Sequence, residues 1–451
     1  MTEATIKLRE TPVKKLFVSY LIPSVLGMLL MSVNIVVDGI FIGRGVGADG
    51  LAGVNIAVPA FSIFLSISLW IGFGGATLYS IALGRNEWKQ AQEIFSQAIT
   101  FAFMLISLIT VICVWKMEEL ALLFGANDVI MPYVMDYLSI LLTFGLVYVL
   151  ENILSVFVRN DGNPTLSMSA LIVTAILNVL FNYLFIFRFG WGVKGSAEAT
   201  VLSAGIGFLV LLSHFFKRGS NLKFIPFRFR FTIIRQILTI GFPSFIAEIS
   251  LAVVTIGFNL AFMRSIGETG VAAYAIVNYI HSVMLLVFLG MGAALQPISS
   301  FHFGARLFGR LNQSLRLTVQ TALISGLFAV AIGFVGAEFM VSLFDVQSQQ
   351  LFKLTVNGLG LFFFTYLFLG YNLVYAEYFQ SVGQIKKSLM IILCQGMLFV
   401  IPLLWILSHW FGLKGIWLAL PTAQAITAIL VFMMNRRHHP VFQLTVRLQG
   451  D

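Results

Sequence analysis

Three carboxylic acids stand inside long apolar stretches of the sequence, and they are the residues best placed to do chemistry: Asp38, Glu151 and Glu248. An ionisable side chain within a membrane costs roughly 2.5–3.5 kcal/mol on insertion scales, so it is a functional candidate by default. A carboxyl group there could alternate between protonated and ionised forms, and the ionised form could attract a lipophilic cation. A structural carboxylate bonded to neighbouring helices is the alternative interpretation.

Asp38 has polar and adaptable neighbours at helical spacing. Asn34 lies four residues before it and Met31 lies seven residues before it, which places all three on one face of a helix. Further along the chain, Asn178 and Asn182 also share a face, at a spacing of four residues. Such amides form hydrogen bonds between helices in a membrane, and structural bonding of this kind is what the two residues predict by themselves.

A second polar face surrounds Glu151. Counted from Tyr148, Glu151 and Asn152 follow at spacings of three and four residues, and Tyr137 lies three turns earlier on a similar face. Because this face is polar, it must point away from lipid. Glu151 could join a proton relay, or it could lie at the cytoplasmic side and pair with Arg159, and the sequence leaves both alternatives open.

The composition identifies lipid as the surroundings of these residues. Of the 451 residues, 59% are hydrophobic and 10% are charged, whereas soluble domains carry about 25% charged residues. A soluble chain of this size could not hide so much apolar surface from water. The two cysteines, Cys113 and Cys394, lie in apolar runs and predict neither a disulfide framework nor a metal site.

Twelve stretches are long and apolar enough to cross a membrane, which takes about 20 residues for a helix. Their predicted limits are 15–42, 51–83, 94–115, 128–158, 164–188, 195–216, 235–263, 271–303, 312–336, 350–380, 387–409 and 415–435. The first stretch is too long for the apolar part of a cleavable signal peptide. The predicted fold class is therefore an all-α membrane protein with twelve transmembrane helices.

The distribution of basic residues orients these helices. If the N terminus is cytoplasmic, 21 of the 28 Lys and Arg residues fall in inner segments and 7 in outer segments. Cytoplasmic loops carry such an excess, so both termini are predicted to be cytoplasmic, and the net charge of +9 requires no nucleic-acid partner. The basic stretch 217–234 is predicted to be a linker, with contact to anionic lipid headgroups as the alternative.

The two halves of the chain repeat at an offset of 220 residues. The coincident landmarks include Pro23 with Pro243, Arg44 with Arg264, Gly84 with Gly304, and Gly192 and Lys194 with Gly412 and Lys414. Each half holds six predicted spans, so the halves enter the membrane in the same direction, as parallel repeats do in some transporters. We predict an N-lobe over 1–216, the cytoplasmic linker over 217–234, and a C-lobe over 235–451.

Several function classes lack their signatures. No G-x-x-x-x-G-K-[ST] loop for ATP hydrolysis is present. A lipid-modifying enzyme that binds metal-bound diphosphates needs clustered acidic motifs such as D-D-x-x-D, and none occurs. The six histidines are scattered, with His438 and His439 in the tail, so no metal or other cofactor is expected. The asymmetric acidic site in a two-lobe repeat disfavours a passive channel.

The segment 157–203 resembles a signature of the multidrug and toxic compound extrusion (MATE) family. That signature combines R-x-x-G-x-P, L-N-x-x-L-D-x-x-F-I-F and G-x-x-G-A-A-x-A-T. The matching residues here are Arg159, Gly162, Pro164, Asn178, Phe185, Ile186, Phe187, Gly192, Gly195, Ala197, Ala199 and Thr200. The family's first span is also resembled here, by Pro23 and the run Asp38–Gly43. Among the family's bacterial branches, this chain most resembles the DinF-like and MepA-like ones.

The resemblance implies two six-helix bundles in a V shape that export amphipathic compounds against H⁺ or Na⁺. Tyr137 and Thr200 match family positions by their place in the chain. Asn182 stands where the family commonly has Asp, which removes a titratable group and disfavours Na⁺ binding by two carboxylates. Glu248 lies about one turn nearer to Pro243 than the coupling glutamate of some branches does. The family also implies a monomer in the bacterial inner membrane.

The predicted function is therefore a multidrug efflux antiporter that exports mostly cationic amphipathic drugs in exchange for protons. Asp38 is the predicted coupling carboxylate, with Glu151 and Glu248 as further coupling candidates. The predicted substrate or hydrogen-bond network comprises Met31, Asn34, Tyr137, Asn152, Asn178, Asn182 and Thr200. A Na⁺-coupled exporter that uses Glu248 and a flippase for lipid-linked precursors are the alternatives.

Overall fold

The computed structural model of the protein describes residues 3–217, 219–344, 346 and 348–436. This part of the chain consists of helices joined by short connections, and it contains no strand. Within the predicted C-lobe, residues 437–451, including His438 and His439, lie outside the described residues. Arg218 of the predicted linker lies outside them as well.

Eleven helices in the described part are long and apolar enough to span a membrane. The first ten are Val13–Gly45, Ala48–Gly84, Trp88–Trp115, Met131–Asn160, Pro164–Arg188, Gly192–Phe216, Phe231–Ile266, Glu268–Gly304, Phe308–Ser342 and Gln349–Ser381, and the last is Ile385–Asn435. Two short helices, Glu3–Glu10 and Met117–Leu123, lie outside these spans. We number the spans one to twelve, because the last helix divides into two.

The division of the last helix occurs at Gly412. This residue has φ 55° and ψ −132°, which is not helical and is readily adopted only by glycine. Close by, a Cβ on Gly415 would come within 1.8 Å of the carbonyl oxygen of Leu407. The chain therefore turns back tightly here and forms spans eleven and twelve, which confirms the prediction of twelve spans.

The predicted limits agree with the helices to within six residues, and the difference at the start of the seventh span has the largest consequence. This span begins at Phe231 rather than at 235, so the last four residues of the predicted linker 217–234 are helical. Of the remaining described residues of the linker, Ser220, Asn221 and Leu222 are buried, and Leu222 belongs to the apolar core of the first half. The linker is therefore not a freely exposed basic loop.

Two large apolar cores fill the molecule. One is built mainly from the first six spans and includes Phe64, Phe95 and Phe157. The other is built from the last six spans and includes Phe258 and Trp417. Each core gives its half a packed interior of its own.

The halves touch through backbone contacts that glycine makes possible. A Cβ on Gly74 would lie 2.0 Å from the carbonyl oxygen of Ile237, and a Cβ on Gly84 would lie 2.3 Å from that of Phe301. On the other side, Gly290 packs on the backbone of Val25, where a Cβ would lie 2.8 Å from its Cα. Small residues allow such close helix approach in membranes.

These contacts all lie toward the end where spans one and seven begin and where spans two and eight end. Toward the opposite end, side chains of the first and eighth spans are exposed, among them Val36 at 49% and Tyr279 at 59%. The two six-helix halves therefore meet at one end of a V. Under the predicted orientation, the closed end is the cytoplasmic one.

Candidate functional site

Asp38 lies in a hydrogen-bonded network inside the first half. The Asn182 Nδ2 group donates to Asp38 Oδ1 over 2.8 Å. The same Nδ2 group also lies 3.1 Å from both Oδ1 and the backbone oxygen of Asn178. Asn178 in turn donates from Nδ2 to Thr200 Oγ1 over 3.3 Å. The first, fifth and sixth spans thus supply one connected polar site.

The amide of Asn182 is the centre of this network. Its side chain is fully buried, and its nitrogen faces three oxygen atoms, which fixes the orientation of the amide. Its Oδ1 atom and the Oδ1 atom of Asn34 are buried without a hydrogen-bond partner among the described residues. Buried acceptors of this kind are costly to leave unpaired, so the site has capacity for an additional donor.

Of the two alternatives that the sequence left open for Glu151, the structure does not form the pair with Arg159. It is 3% exposed and accepts a hydrogen bond from Thr174 Oγ1 over 2.6 Å. It packs against the sixth span, where a Cβ on Gly207 would lie 2.2 Å from Glu151 Oε1. The ion pairs of the described residues do not include one between Glu151 and Arg159.

One face of the fifth span connects the two carboxylates. Thr174, Asn178 and Asn182 recur every four residues, so they lie above one another on this helix. Thr174 binds Glu151 at one end of the row, and Asn182 binds Asp38 at the other. The eight residues between these ends span about 12 Å along the helix axis. We call the row with its two carboxylates the polar stripe.

The helix changes its winding directly after the polar stripe. Residues Tyr183–Arg188 form a π-helical turn, which is rare and often found at functional sites. The turn is flanked by aromatic contacts, including a stacked pair of Phe181 and Phe185 at 5.6 Å. The altered winding lets Phe185 and Ile186 point into the protein while Asn182 faces Asp38.

The predicted tyrosines lie around this site. Tyr137 is close enough to Asp38 for the two to interact electrostatically. Tyr148 forms a side-chain hydrogen bond with Asn152 and interacts electrostatically with both Glu151 and Glu248. Its ring also lies 4.8 Å from that of Phe61.

Glu248 belongs to the other half of the molecule. It lies on the seventh span and is half-buried. Its interaction with Tyr148 on the fourth span crosses the boundary between the halves. Glu248 is thus not part of the Asp38 network. It lies on the second half, near Tyr148 of the first half. Met31 and Asn34, on the face of the first span predicted to hold Asp38, are half-buried as well.

The second half has no polar stripe at the corresponding position. The residue 220 positions after Asp38 is Phe258, which is fully buried. Its ring stacks on Tyr274 at 4.9 Å and belongs to an aromatic cluster with Phe262 and Trp417. The repeat therefore preserves the helices but not the chemistry, and the site is asymmetric.

Sequence reasoning missed a second buried carboxylate cluster, centred on Asp161. This residue follows the fourth span and is 1% exposed. Its carboxylate accepts hydrogen bonds from Tyr79 Oη at 2.8 Å, His214 Nε2 at 2.8 Å and both nitrogens of Asn221 at 2.9 Å. The motif R-x-x-G-x-P contains Asp161 at a variable position, so the motif gave no signal for it.

The proton position on His214 follows from its neighbours. Asn163 Oδ1 accepts from the backbone nitrogen of Leu166, so Asn163 Nδ2 is the group that faces His214 Nδ1 at 3.2 Å. A neutral imidazole ring that accepts a hydrogen bond at Nδ1 carries its proton at Nε2. His214 therefore donates this proton to Asp161. The N-cap of the fifth span thereby helps to orient the histidine.

The linker between the halves is tied to the first half by further bonds. Ser96 Oγ accepts from the backbone nitrogen of Ile225 at 3.0 Å, and Gln97 Oε1 accepts from that of Arg230 at 2.9 Å. Together with the Asp161 cluster, these bonds hold the chain against the third span up to the start of the seventh. The linker therefore belongs structurally to the first half.

A polar contact crosses between the halves at their closed end. Gln296 donates from Nε2 to Thr77 Oγ1 at 2.9 Å and accepts at Oε1 from Asn160 Nδ2 at 2.9 Å. Arg159 and Glu377 also interact electrostatically across this boundary, with Glu377 packed against Gly292. The sequence predicted neither the contacts of Gln296 nor the interaction of Arg159 with Glu377.

Within the described part of the chain, no three His, Cys, Asp or Glu residues lie close enough together to hold a metal ion. The polar stripe instead offers carboxylate, amide and hydroxyl groups. Such groups can exchange protons or bind a monovalent cation.

The chain matches a family model along most of its length. The MatE model matches residues 23–184 and again residues 243–406. The two matches begin at Pro23 and Pro243, the same pair of prolines that marks the repeat offset of 220 residues. Each half of the chain is thus one copy of the family's unit.

Curated relatives share modest identity over nearly the whole chain. The Multidrug export protein MepA of Staphylococcus saprophyticus is 23% identical over 436 residues, which is 95% of this chain and 94% of that protein. The Probable multidrug resistance protein YoeA of Bacillus subtilis is 26% identical over 424 residues, which is 92% of this chain and 91% of that protein.

Solved structures share the fold. A MATE protein in the bent conformation has a TM-score of 0.90 at 23% identity and covers 97% of both chains. An outward-facing MATE family transporter of the MOP superfamily has a TM-score of 0.91, again at 23% identity, over 97% of this chain and 98% of that one. With the family model matching both halves, the chain belongs to the MatE family, the multidrug and toxic compound extrusion proteins, and is a membrane transporter rather than an enzyme.

Proposed function

We propose that this protein exports amphipathic, mostly cationic compounds in exchange for protons, with Asp38 as the coupling carboxylate. The observation that carries the proposal is the hydrogen bond of 2.8 Å from Asn182 to Asp38 inside the first half. A half-buried carboxylate that is held by one donor within a membrane span can be neutralised by a proton or by a cation. The relatives named multidrug export proteins support the class of substrate.

Exchange follows from competition for one charge. When Asp38 is ionised, it accepts a hydrogen bond from Asn182 and attracts a cation. When a proton binds to the carboxylate, the negative charge disappears and the new O–H group becomes a donor. The buried acceptor atoms Oδ1 of Asn182 and Oδ1 of Asn34 could receive that hydrogen bond. Since a proton and a cationic substrate cannot both neutralise the carboxylate, uptake of one favours release of the other.

The arrangement favours H⁺ over Na⁺ at this site. Na⁺ would need several oxygen ligands that converge on one point. Asp38 Oδ1 and the two oxygens of Asn178 do converge on one point. That point is occupied by the amide nitrogen of Asn182, which is a hydrogen-bond donor. A Na⁺ ion would require that amide to turn and to give up these three contacts. A proton requires no such rearrangement.

The walls near the site suit flat apolar cations. Aromatic faces attract cations, at about 0.5–2 kcal/mol for each good contact. Tyr148 and Phe61 form such a wall in the first half. Glu248 lies opposite Tyr148 on the second half and adds a negative charge. We therefore assign Glu248 to attraction of the substrate rather than to coupling.

The experiment that tests the function is ethidium efflux from vesicles of a pump-deficient bacterial host. A pH gradient and a Na⁺ gradient are imposed separately. We expect the pH gradient alone to drive efflux, with no response to Na⁺. Efflux driven only by Na⁺ and abolished by Glu248→Gln would support the Na⁺-coupled alternative instead. If neither gradient moves ethidium, flipping of lipid-linked precursors becomes the hypothesis to test.

The proposed setting of this activity is the bacterial inner membrane, with both termini in the cytoplasm and the protein acting as a monomer. The excess of Lys and Arg in the inner segments supports the orientation. The closed end of the V then faces the cytoplasm and the open end faces outward. An outward-facing state is the one from which a substrate leaves and a proton arrives.

Glu151 provides a separate prediction. We expect Glu151→Gln to reduce proton-driven efflux by on the order of tenfold or more, because the variant retains a partner for Thr174 but cannot exchange a proton at that end of the polar stripe. The initial rate of ethidium efflux at a fixed pH gradient measures the effect. Thr174→Val is the companion variant, since it removes the hydrogen bond and keeps the carboxylate. Wild-type efflux in Glu151→Gln would exclude Glu151 from the relay.

A further inference from the structure

A shallow groove runs along the surface of the first half where the first and fifth spans begin. Its volume is about 680 Å³, and it is lined by Lys14, Lys15, Val18, Ile22, Pro23 and Thr165, among others. Val18 and Ile22 are 40% and 53% exposed, so the groove is open to its surroundings. It lies outside the polar stripe and outside the contact between the halves.

The charged residues that line the groove are all positive. Lys14 and Lys15 are both exposed at its mouth, and its lining contains no carboxylate. Among the described residues, neither lysine takes part in an ion pair. The exposed Thr165 adds a hydroxyl group at the same level. Two unpaired ammonium groups at one site are complementary to an anion.

The polar and apolar parts of the groove are arranged by depth. Lys14 and Lys15 stand at the start of the first span, and Thr165 stands at the start of the fifth. Ile22 is seven residues beyond Lys15, about 10 Å deeper along the helix axis. A molecule that fills the groove must therefore be anionic at the membrane surface and apolar within the hydrocarbon layer. These are the properties of a phospholipid.

We propose that this groove is a binding site for an anionic phospholipid of the leaflet that faces the closed end of the V. The phosphate of the headgroup contacts the two lysines and the hydroxyl of Thr165. One acyl chain lies along Val18 and Ile22 and ends near Pro23. Under the predicted orientation this is the cytoplasmic leaflet, whose surface carries anionic lipids that attract Lys and Arg next to membrane spans.

Native mass spectrometry of the purified full chain tests the site. The protein is equilibrated with phosphatidylglycerol and phosphatidylcholine that carry identical acyl chains. We expect the wild type to retain phosphatidylglycerol over phosphatidylcholine by about 30-fold, the combined effect expected of two lysines near anionic headgroups. The double variant Lys14→Gln with Lys15→Gln should lose this preference. Ile22→Trp, which fills the apolar part, should lower retention of both lipids.

The matched control is the double variant Arg85→Gln with Lys89→Gln. It removes the same charge from exposed residues on the same side of the membrane, away from the groove. This control should keep the wild-type preference. The proposal is overturned if the wild type retains both lipids equally, if the Lys14 and Lys15 variant keeps its preference, or if the control loses as much preference as that variant does. The last outcome would indicate a diffuse basic surface.

Discussion

Replacing Asp38 with Asn should reduce pH-driven ethidium efflux to the background rate of vesicles without the protein. Asn has nearly the same size and can still accept a hydrogen bond from Asn182, so the geometry of the network should survive. It carries no negative charge and cannot bind and release a proton. The substitution therefore removes the exchange step and leaves the fold in place. Initial efflux rates at several imposed pH gradients measure the loss.

The control for this experiment is Asp136→Asn, which changes an exposed carboxylate at the start of the fourth span. We expect it to transport at the wild-type rate. A second variant, Asn182→Leu, should also impair transport, because it removes the donor that holds Asp38. Proton-driven efflux that persists in Asp38→Asn would move the coupling site elsewhere, with Glu151 as the next carboxylate to test.

Replacing Asp161 with Ala should destabilise the protein by about 3–5 kcal/mol, the cost of removing one partner from a buried charged cluster. The substitution leaves the donors of Tyr79, His214 and Asn221 buried without an acceptor. Each such group costs about 1–3 kcal/mol. The measurement is thermal unfolding of purified protein in detergent, and the expected result is a markedly lower Tm or failure to accumulate.

The Asp161 variant should also release the linker. Hydrogen exchange of the backbone amides of residues 220–225 should rise in Asp161→Asn, which is milder than the Ala variant, because Asn221 loses a charged acceptor. Asp136→Ala is the matched control, since it removes an exposed carboxylate and should change neither Tm nor exchange. An unchanged Tm in Asp161→Ala would mean that water replaces the carboxylate and that the cluster does not hold the linker.

Asp38 and Asp161 are not equally recognisable as important residues from the sequence. Asp38 stands in the middle of an apolar stretch, where a charge is conspicuous and where periodicity identifies its face. Asp161 stands between two spans, next to Gly162 and Asn163, in a segment that has the composition of an ordinary turn. Its burial results from the linker folding over it, and that contact joins residues 60 positions apart.

The sequence by itself determined the number of spans, their approximate limits and the repeat of 220 residues. These properties depend on local composition, because the thickness of a bilayer sets the length of each apolar stretch. It also brought Asp38, Asn178, Asn182 and Thr200 together as candidates, through helical spacing and family resemblance. The structure places these four side chains in one network.

Only the tertiary structure decided which groups on different helices meet. It gave Glu151 a partner in Thr174 rather than Arg159, and it put Glu248 across the boundary from Tyr148. It also joined the linker to the first half and the two halves to each other through Gly74 and Gly84. The physical reason is that helix packing depends on the rotation and depth of each helix relative to its neighbours. Spacing along one helix fixes a face, but it does not fix what that face touches.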